Sequence, residues 1–343
     1  MAPSNLSATS LPNPTAIPRE AGSATRAPVI AVLVPCYNEE VSVVKVVHDF
    51  RAVLPGAAVF VYDNNSSDQT VALAQRSGAI VRSEPLQGKG NVVRRMFADV
   101  EADIFVLVDG DDTYDATSAV MMIERLVTES LDMVNAARAV NTQAAYRPGH
   151  QFGNRALTWM IARIFGNRFG DVLSGYRVLS RRFVKSFPAL ASGFEIETEL
   201  TVHALELRMP VAEVLTPYKE RPLGSASKLK TFRDGSRILW TILILIKEER
   251  PLALFSLVSA LLAGSSILIT IPIISTYLDT GLVPRLPTAV LATGMMIMSF
   301  LSLTCGLILD TVTRGRKEIK WMHYLSIPIR FSEGNGPKND HDE

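Results

Sequence analysis

Two apolar stretches near the C-terminus limit what this chain can fold into more than any other feature. Pro251 to Leu278 contains no charged residue, and Leu286 to Val312 contains only Asp310; Asp279 and Arg285 lie in the short connection between them. A helix needs roughly 20 residues to cross a hydrocarbon core of about 30 Å, and each stretch is long enough. Neither shows the apolar periodicity of a helix lying half-buried on a soluble core. Two transmembrane helices, about 251–278 and 286–312, are therefore expected in preference to a pair of buried helices. They also explain a mean hydropathy of +0.19 and 48% hydrophobic content, high for a purely soluble enzyme.

Basic residues near helix ends favour the cytoplasmic side. Lys247 and Arg250 precede the first stretch, and Arg314, Arg316, Lys317 and Lys320 follow the second, whereas the connection carries only Arg285. A hairpin is expected, multi-pass in the inner (plasma) membrane, with the large N-terminal part and both termini cytoplasmic. Residues 1–27 are rich in Pro, Ser, Ala and Thr without an apolar run, which predicts a disordered tail and no secretory signal. Residues 313–343 are expected to form a cytoplasmic tail, disordered from Ser332 onward. Cys36 and Cys305 imply no disulfide framework. A formal net charge of +1 argues against nucleic acid as a partner.

Ahead of the hairpin, apolar runs alternate with helical patterns. Strands are expected at Val29 to Val34, Ala58 to Tyr62, Ala79 to Arg82, Asp103 to Val108 and Met133 to Ala136. Helices are expected at Glu39 to Leu54, Asp68 to Ser77, Asn91 to Val100 and Asp115 to Glu129. This alternation predicts an α/β, Rossmann-like domain with a mostly parallel sheet and helices on both faces. Ligands of such sheets bind beyond the carboxyl ends of the strands.

The polar motifs fall at those ends. One strand runs I-F-V-L-V from Ile104 and stops in Asp109, Asp111, Asp112 and Asp115. Asp109 and Asp111, one residue apart, can converge on a hard divalent cation that keeps positions open for phosphate oxygens, so a nucleotide-diphosphate site leads over a solvated acidic turn. Pro35-Cys36-Tyr37-Asn38-Glu39-Glu40 follows the first strand and Asp63-Asn64-Asn65-Ser66-Ser67-Asp68 the second. Each alone suits a helix cap or turn. Gly88-Lys89-Gly90 adds a cation in a flexible turn.

With P-C-Y-N-E-E, D-N-N-S-S-D, G-K-G-N and D-G-D-D in hand, the N-terminal part resembles the GT-A nucleotide-sugar-binding fold of family 2 glycosyltransferases. Three further segments narrow the resemblance: Asp171-Val172-Leu173-Ser174-Gly175-Tyr176-Arg177, G-F-E-I-E-T-E-L at Gly193 to Leu200, and R-P-L-G-S-A-S-K-L at Arg221 to Leu229. Together they resemble the polyprenyl-phosphate glycosyltransferases, the group containing dolichyl-phosphate mannose synthases and bacterial polyprenyl-phosphate glucose synthases. The resemblance covers about residues 28–330.

The resemblance implies a cytoplasmic catalytic domain over 28–229. Pro35, Tyr37, Glu39 and Asp63 would surround base and ribose, Asp109 and Asp111 would hold Mg2+ or Mn2+ against the donor diphosphate, Gly110 between them would belong to the nucleotide-sugar site, and Asp112 would be an auxiliary carboxylate. Lys89 would approach phosphate or sugar. Arg138 and Arg177 would hold the acceptor phosphate, Arg221 and Lys228 would close over the donor, and Asp171 would orient the acceptor or cap a helix. Arg forks suit phosphate oxygens; the competing reading of each cation is an ordinary surface charge, where Arg155, Arg181 and Arg182 are left. Asn64 replaces the family's second Asp, which leaves uridine and guanosine donors open, with uridine preferred from the two-span architecture.

The expected reaction is inverting transfer of a sugar from a nucleoside-diphosphate sugar to an undecaprenyl-, dodecaprenyl- or dolichyl-type polyprenyl phosphate. Its product would serve cell-envelope glycan or lipopolysaccharide modification. The acceptor is already ionised, so alignment and charge neutralisation replace a strong base. The basic run from Lys228 to Arg237, followed by apolar Ile238 to Ile246 with Trp240, suits an interfacial helix over 230–250, or else a core helix. Gly264, Ser265, Ser266 and Gly294 suit close packing in a homo-oligomer. A processive polysaccharide synthase is the first alternative, disfavoured because no Q-x-x-R-W occurs. A non-catalytic sugar sensor or scaffold is the second.

Overall fold

The computed structural model describes residues 27–139, 158–163, 169–193, 195–222, 244 and 247–328. Every strand and helix expected between 29 and 136 is present. The strands are β1 (Ile30–Cys36), β2 (Ala58–Asp63), β3 (Ile80–Ser83), β4 (Ile104–Leu107) and β5 (Met133–Ala139). Between them run α1 (Val43–Val53), α2 (Thr70–Arg76), α3 (Lys89–Asp99) and α4 (Ser118–Thr128). The largest shift is at α1, which begins four residues later than Glu39 because Asn38 takes a left-handed φ of 52° and the motif loop continues to Ser42.

Four further elements follow among the described residues: β6 (Arg177–Ser180), α5 (Arg181–Ser186), α6 (Ile196–Glu206) and β7 (Val211–Pro217). The sheet order is β3-β2-β1-β4-β6-β5-β7, parallel except for β6, which is antiparallel to β4 and β5. A helix layer covers each face. Met96, Phe97, Phe105, Phe183 and Leu200 fill one side, and Val47, Phe50, Val106, Met122 and Leu126 the other. Full burial of such a side chain stabilises by about 1.5–3 kcal/mol, which holds the sheet rigid beneath its loops.

The C-terminal part is a helical hairpin of α7 (Pro251–Thr280) and α8 (Leu286–Leu325). Both are long and apolar enough to cross a membrane. Their large side chains face outward, with Leu268 70% and Phe300 65% exposed, which a core helix of a soluble domain would not tolerate. Small residues and hydroxyls pin the two helices: Ser266 Oγ donates to Ala292 O at 2.7 Å, and Ser302 Oγ to Phe255 O at 3.1 Å. Ser266 thus serves the hairpin itself.

The second helix does not stop near Val312. It continues to Leu325, and its end docks on the sheet domain: Tyr324 Oη donates to Asp132 Oδ2 at 2.6 Å, and Lys320 pairs with Glu206 at 2.7 Å. The expectation of a tail from 313 is corrected for residues 313–325, because buried partners on the catalytic domain extend the helix. Residues 230–243, 245 and 246 of the expected interfacial segment, residues 1–26 of the tail and the stretch beyond 328 lie outside the described residues.

Candidate active site

The carboxyl ends of β1, β2 and β4 form one rim, and its loops are stitched together before any ligand is considered. Asn38 N and Glu39 N donate to Ser66 Oγ and Thr70 Oγ1, both at 2.8 Å, while Ser67 N donates to Asn38 Oδ1 at 2.8 Å. Ser42 Oγ then donates to Gly110 O at 2.7 Å, joining the first loop to the acidic one. Gly110 is required here: a Cβ would lie 2.6 Å from Cys36 Sγ. Pro35 and Tyr37 are half-buried and Glu39 buried at this end of β1, with Asp63 buried beside them at the end of β2. Asp63 accepts from Ser66 N at 3.1 Å through Oδ2, while its buried Oδ1 has no partner among the described residues and can accept from a ligand donor.

Asn64 plays a different part. Its Nδ2 donates to Glu84 O and Leu86 O, both at 2.8 Å, and its Oδ1 accepts from Gly88 N at 2.7 Å. It therefore holds the loop between β3 and Lys89.

Asp109 and Asp111 lie at the centre. Lys89 Nζ bridges Asp109 Oδ1 and Glu197 Oε1, both at 2.5 Å. Asp111 accepts from Thr113 Oγ1 at 2.6 Å and pairs with Arg221 at 2.6 Å. Burial, and then repulsion from Asp109, push the Asp111 carboxyl up, against Arg221 and Thr113. Burial works against the Lys89 ammonium, but Asp109 and Glu197 outweigh it and raise its pKa. Gly175 lies so close under Asp109 that a Cβ would be 2.2 Å from Oδ2. Asp112 turns away to pair with Lys45 of α1 at 3.0 Å, which does not suit an auxiliary role at the cation.

The basic residues divide. Arg138, near the end of β5, makes a two-point ion pair with Asp171 at 2.6 and 2.8 Å. Glu213 of β7 supports that pair by accepting from Gly170 N at 2.7 Å. Arg177 is completely buried, and this corrects its expected place at the acceptor phosphate. Its guanidinium donates to Ser174 O at 3.2 Å, Val172 O at 2.8 Å and Glu197 O at 2.9 Å, so it ties the loop before β6 to the start of α6. Burial lowers its pKa to about 10, still charged at neutral pH. Arg181 pairs with Glu101 and Arg182 with Asp132, away from the rim. Lys228 lies outside the described residues.

Glu197 was not singled out from the sequence, although its motif was. Two acidic residues in the first turn of α6, Glu197 and Glu199, look like ordinary helix-dipole partners. Only the fold shows that one faces Lys89.

Among the described residues no three His, Cys, Asp or Glu side chains converge into a complete cage. The donor set still fits a hard cation: two carboxylates that repel each other, one over a glycine cradle, with coordination left for ligand oxygens.

The glycosyl transferase family 2 model matches residues 31–186. Glycosyltransferase AglJ of Haloferax volcanii is 36% identical over 232 residues, 66% of this chain and 75% of that protein. The chain belongs to glycosyl transferase family 2. Protein RfbJ of Shigella flexneri is 55% identical to this glycosyltransferase over 123 residues, 36% of this chain and 95% of that one. Dolichyl-phosphate hexose transferase of Haloferax volcanii is 26% identical over 221 residues, 64% and 95% of the two chains. In structure, the family member resembles Mycobacterium tuberculosis glucosyl-3-phosphoglycerate synthase in complex with Mn2+, uridine diphosphate and glucosyl-3-phosphoglycerate. The TM-score is 0.52 at 24% identity, covering 63% of this chain and 79% of that one, a likeness of fold. The fold is GT-A, as the motifs implied.

Proposed function

We propose that this glycosyltransferase moves a sugar from a nucleoside-diphosphate donor, uridine preferred, to a polyprenyl phosphate at the cytoplasmic membrane leaflet. The observation that carries the reading is the Asp109–Asp111 pair, flanked by Lys89 and Arg221, in a chain that also carries an apolar hairpin. The dolichyl-phosphate relative supports the acceptor class, and the uridine diphosphate and Mn2+ of the structural relative support the donor and the cation.

Asp109 and Asp111 would hold Mg2+ or Mn2+, which when bound neutralises charge growing on the leaving diphosphate. Lys89 and Arg221 add positive charge on either side. Asp63, Glu39, Tyr37 and Pro35 would receive the nucleoside. Arg138, oriented by Asp171, would meet the acceptor phosphate and align its oxygen for single displacement with inversion. The hairpin would keep the isoprenoid tail in the bilayer, in an inner-membrane protein with both termini cytoplasmic. Transfer from a panel of labelled UDP- and GDP-sugars to a short polyprenyl phosphate by detergent-solubilised protein, with Mn2+, Mg2+ or EDTA, tests the reading. One metal-dependent lipid-linked sugar is expected; polymer, or donor binding without transfer, would overturn it.

A further inference from the structure

Lys89 serves two carboxylates, yet only one of them belongs to the D-x-D motif. The other, Glu197, is 6% exposed, and its buried Oε2 has no partner among the described residues. Such a carboxylate is costly unless a neighbouring charge requires it. Its position is over-determined. Gly90 N donates to Ser192 O at 3.1 Å, and a Cβ on Gly88 or Gly90 would lie 2.2 Å from Ser192 O or 2.1 Å from Ala191 O, so the start of α3 presses on the loop leading into α6. Glu199 closes that loop by accepting from Leu190 N at 2.9 Å and Ala191 N at 2.8 Å. Arg177 fixes the first turn of α6 through Glu197 O.

A cation on Asp109 would repel Lys89 and claim the oxygen Lys89 now occupies. We infer that Glu197 is a positioning residue that keeps Lys89 anchored when Asp109 turns to the cation, so that ammonium and cation occupy the site together. Without its charge, Lys89 would rely on Asp109 alone and compete with the cation. Burial raises the Glu197 carboxyl, Lys89 opposes that shift, and Asp109 adds to it.

The inference rests on the proposed cation site, and the test separates the two. Mn2+ binding to the full-length, detergent-solubilised protein is measured by electron paramagnetic resonance with saturating UDP, for wild type, E197Q, K89M and the double variant. E197Q is expected to raise the Mn2+ midpoint about five- to tenfold, and K89M to lower it. E197Q added to K89M should change nothing further, because its effect runs through Lys89. If wild type binds no Mn2+, the cation site and the inference both fall. An unchanged midpoint in folded E197Q, or an equal effect in the K89M background, overturns the inference alone. If E197Q does not fold, K89M still decides it: a K89M midpoint at or above wild type means that Lys89 and the cation do not compete.

Discussion

Tyr324 and Asp132, 192 residues apart, share a 2.6 Å hydrogen bond between hydroxyl and carboxylate. Asp132 precedes β5 and also receives Ser180 Oγ at 2.7 Å and Arg182 at 2.7 Å, while the Arg182 guanidinium lies 4.4 Å from the Tyr324 ring centroid. In the sheet this is the edge opposite Asp109, because Asp132 stands at the amino end of β5 and Asp109 at the carboxyl end of β4, and the two strands run parallel to each other on either side of the antiparallel β6. The second apolar helix is thereby fixed to the base of the domain whose other edge carries the chemistry.

Removing that hydroxyl in Y324F should destabilise the docked end by about 1–2 kcal/mol, the range for losing one partner of a buried carboxylate. Thermal unfolding in detergent should show the loss, with Mn2+ binding unchanged.

Asp109→Asn and Asp111→Asn should each lower transfer at least about a hundredfold, the scale of losing a group that stabilises transition-state charge. Single-turnover assays with radiolabelled donor would measure this, and wild-type rates in either variant would remove the cation from the mechanism.

Gly175→Ala should mimic loss of Asp109. The new methyl would overlap the carboxylate, so a fall of roughly ten- to a hundredfold in turnover is expected, the scale of a small misplacement of reacting groups. Circular dichroism would establish that the fold survives.

Arg138 and Arg177 should separate cleanly. R177M removes the guanidinium that Ser174 O, Val172 O and Glu197 O share and should cost about 1–3 kcal/mol for each carbonyl left unsatisfied, or prevent folding. R138M should fold and raise the KM for polyprenyl phosphate about tenfold, consistent with loss of a charged hydrogen bond of roughly 1.5 kcal/mol.

Stability should fall below neutral pH partly through His203. Its ring is buried, accepting or donating at 3.2 Å to Ser186 Oγ, and burial, then Lys320, lower its pKa to about 3. The unfolded ring takes up a proton near pH 6.5 while the folded one does not, so its contribution is complete above that pH. It is lost progressively as pH falls towards 3, at up to about 1.4 kcal/mol per unit. Denaturant titrations of wild type and H203F between pH 7 and 5 should show a shallower slope in the variant.

The strands and helices through β5 were legible because each carries its own apolar period, and the rim motifs because they fall where those periods break. The four residues of β6 and the short α5 carry too little pattern to announce themselves. Arg177 and Glu197 were misjudged or passed over because charge alone does not say which side of a strand or helix turn a residue occupies. A one-residue change of position along a strand reverses its face.

The sequence by itself determined the α/β alternation, the apolar hairpin and the carboxylate pair, since these follow from periodicity, length and spacing along a single segment. Only the tertiary structure decided that Arg177 is an internal clamp, that Lys89 is shared by Asp109 and Glu197, and that the last helix docks through Tyr324. Each of those depends on which distant groups meet in a buried, low-dielectric interior, where an unpaired charge is too costly to persist. Local pattern carries no record of that pairing.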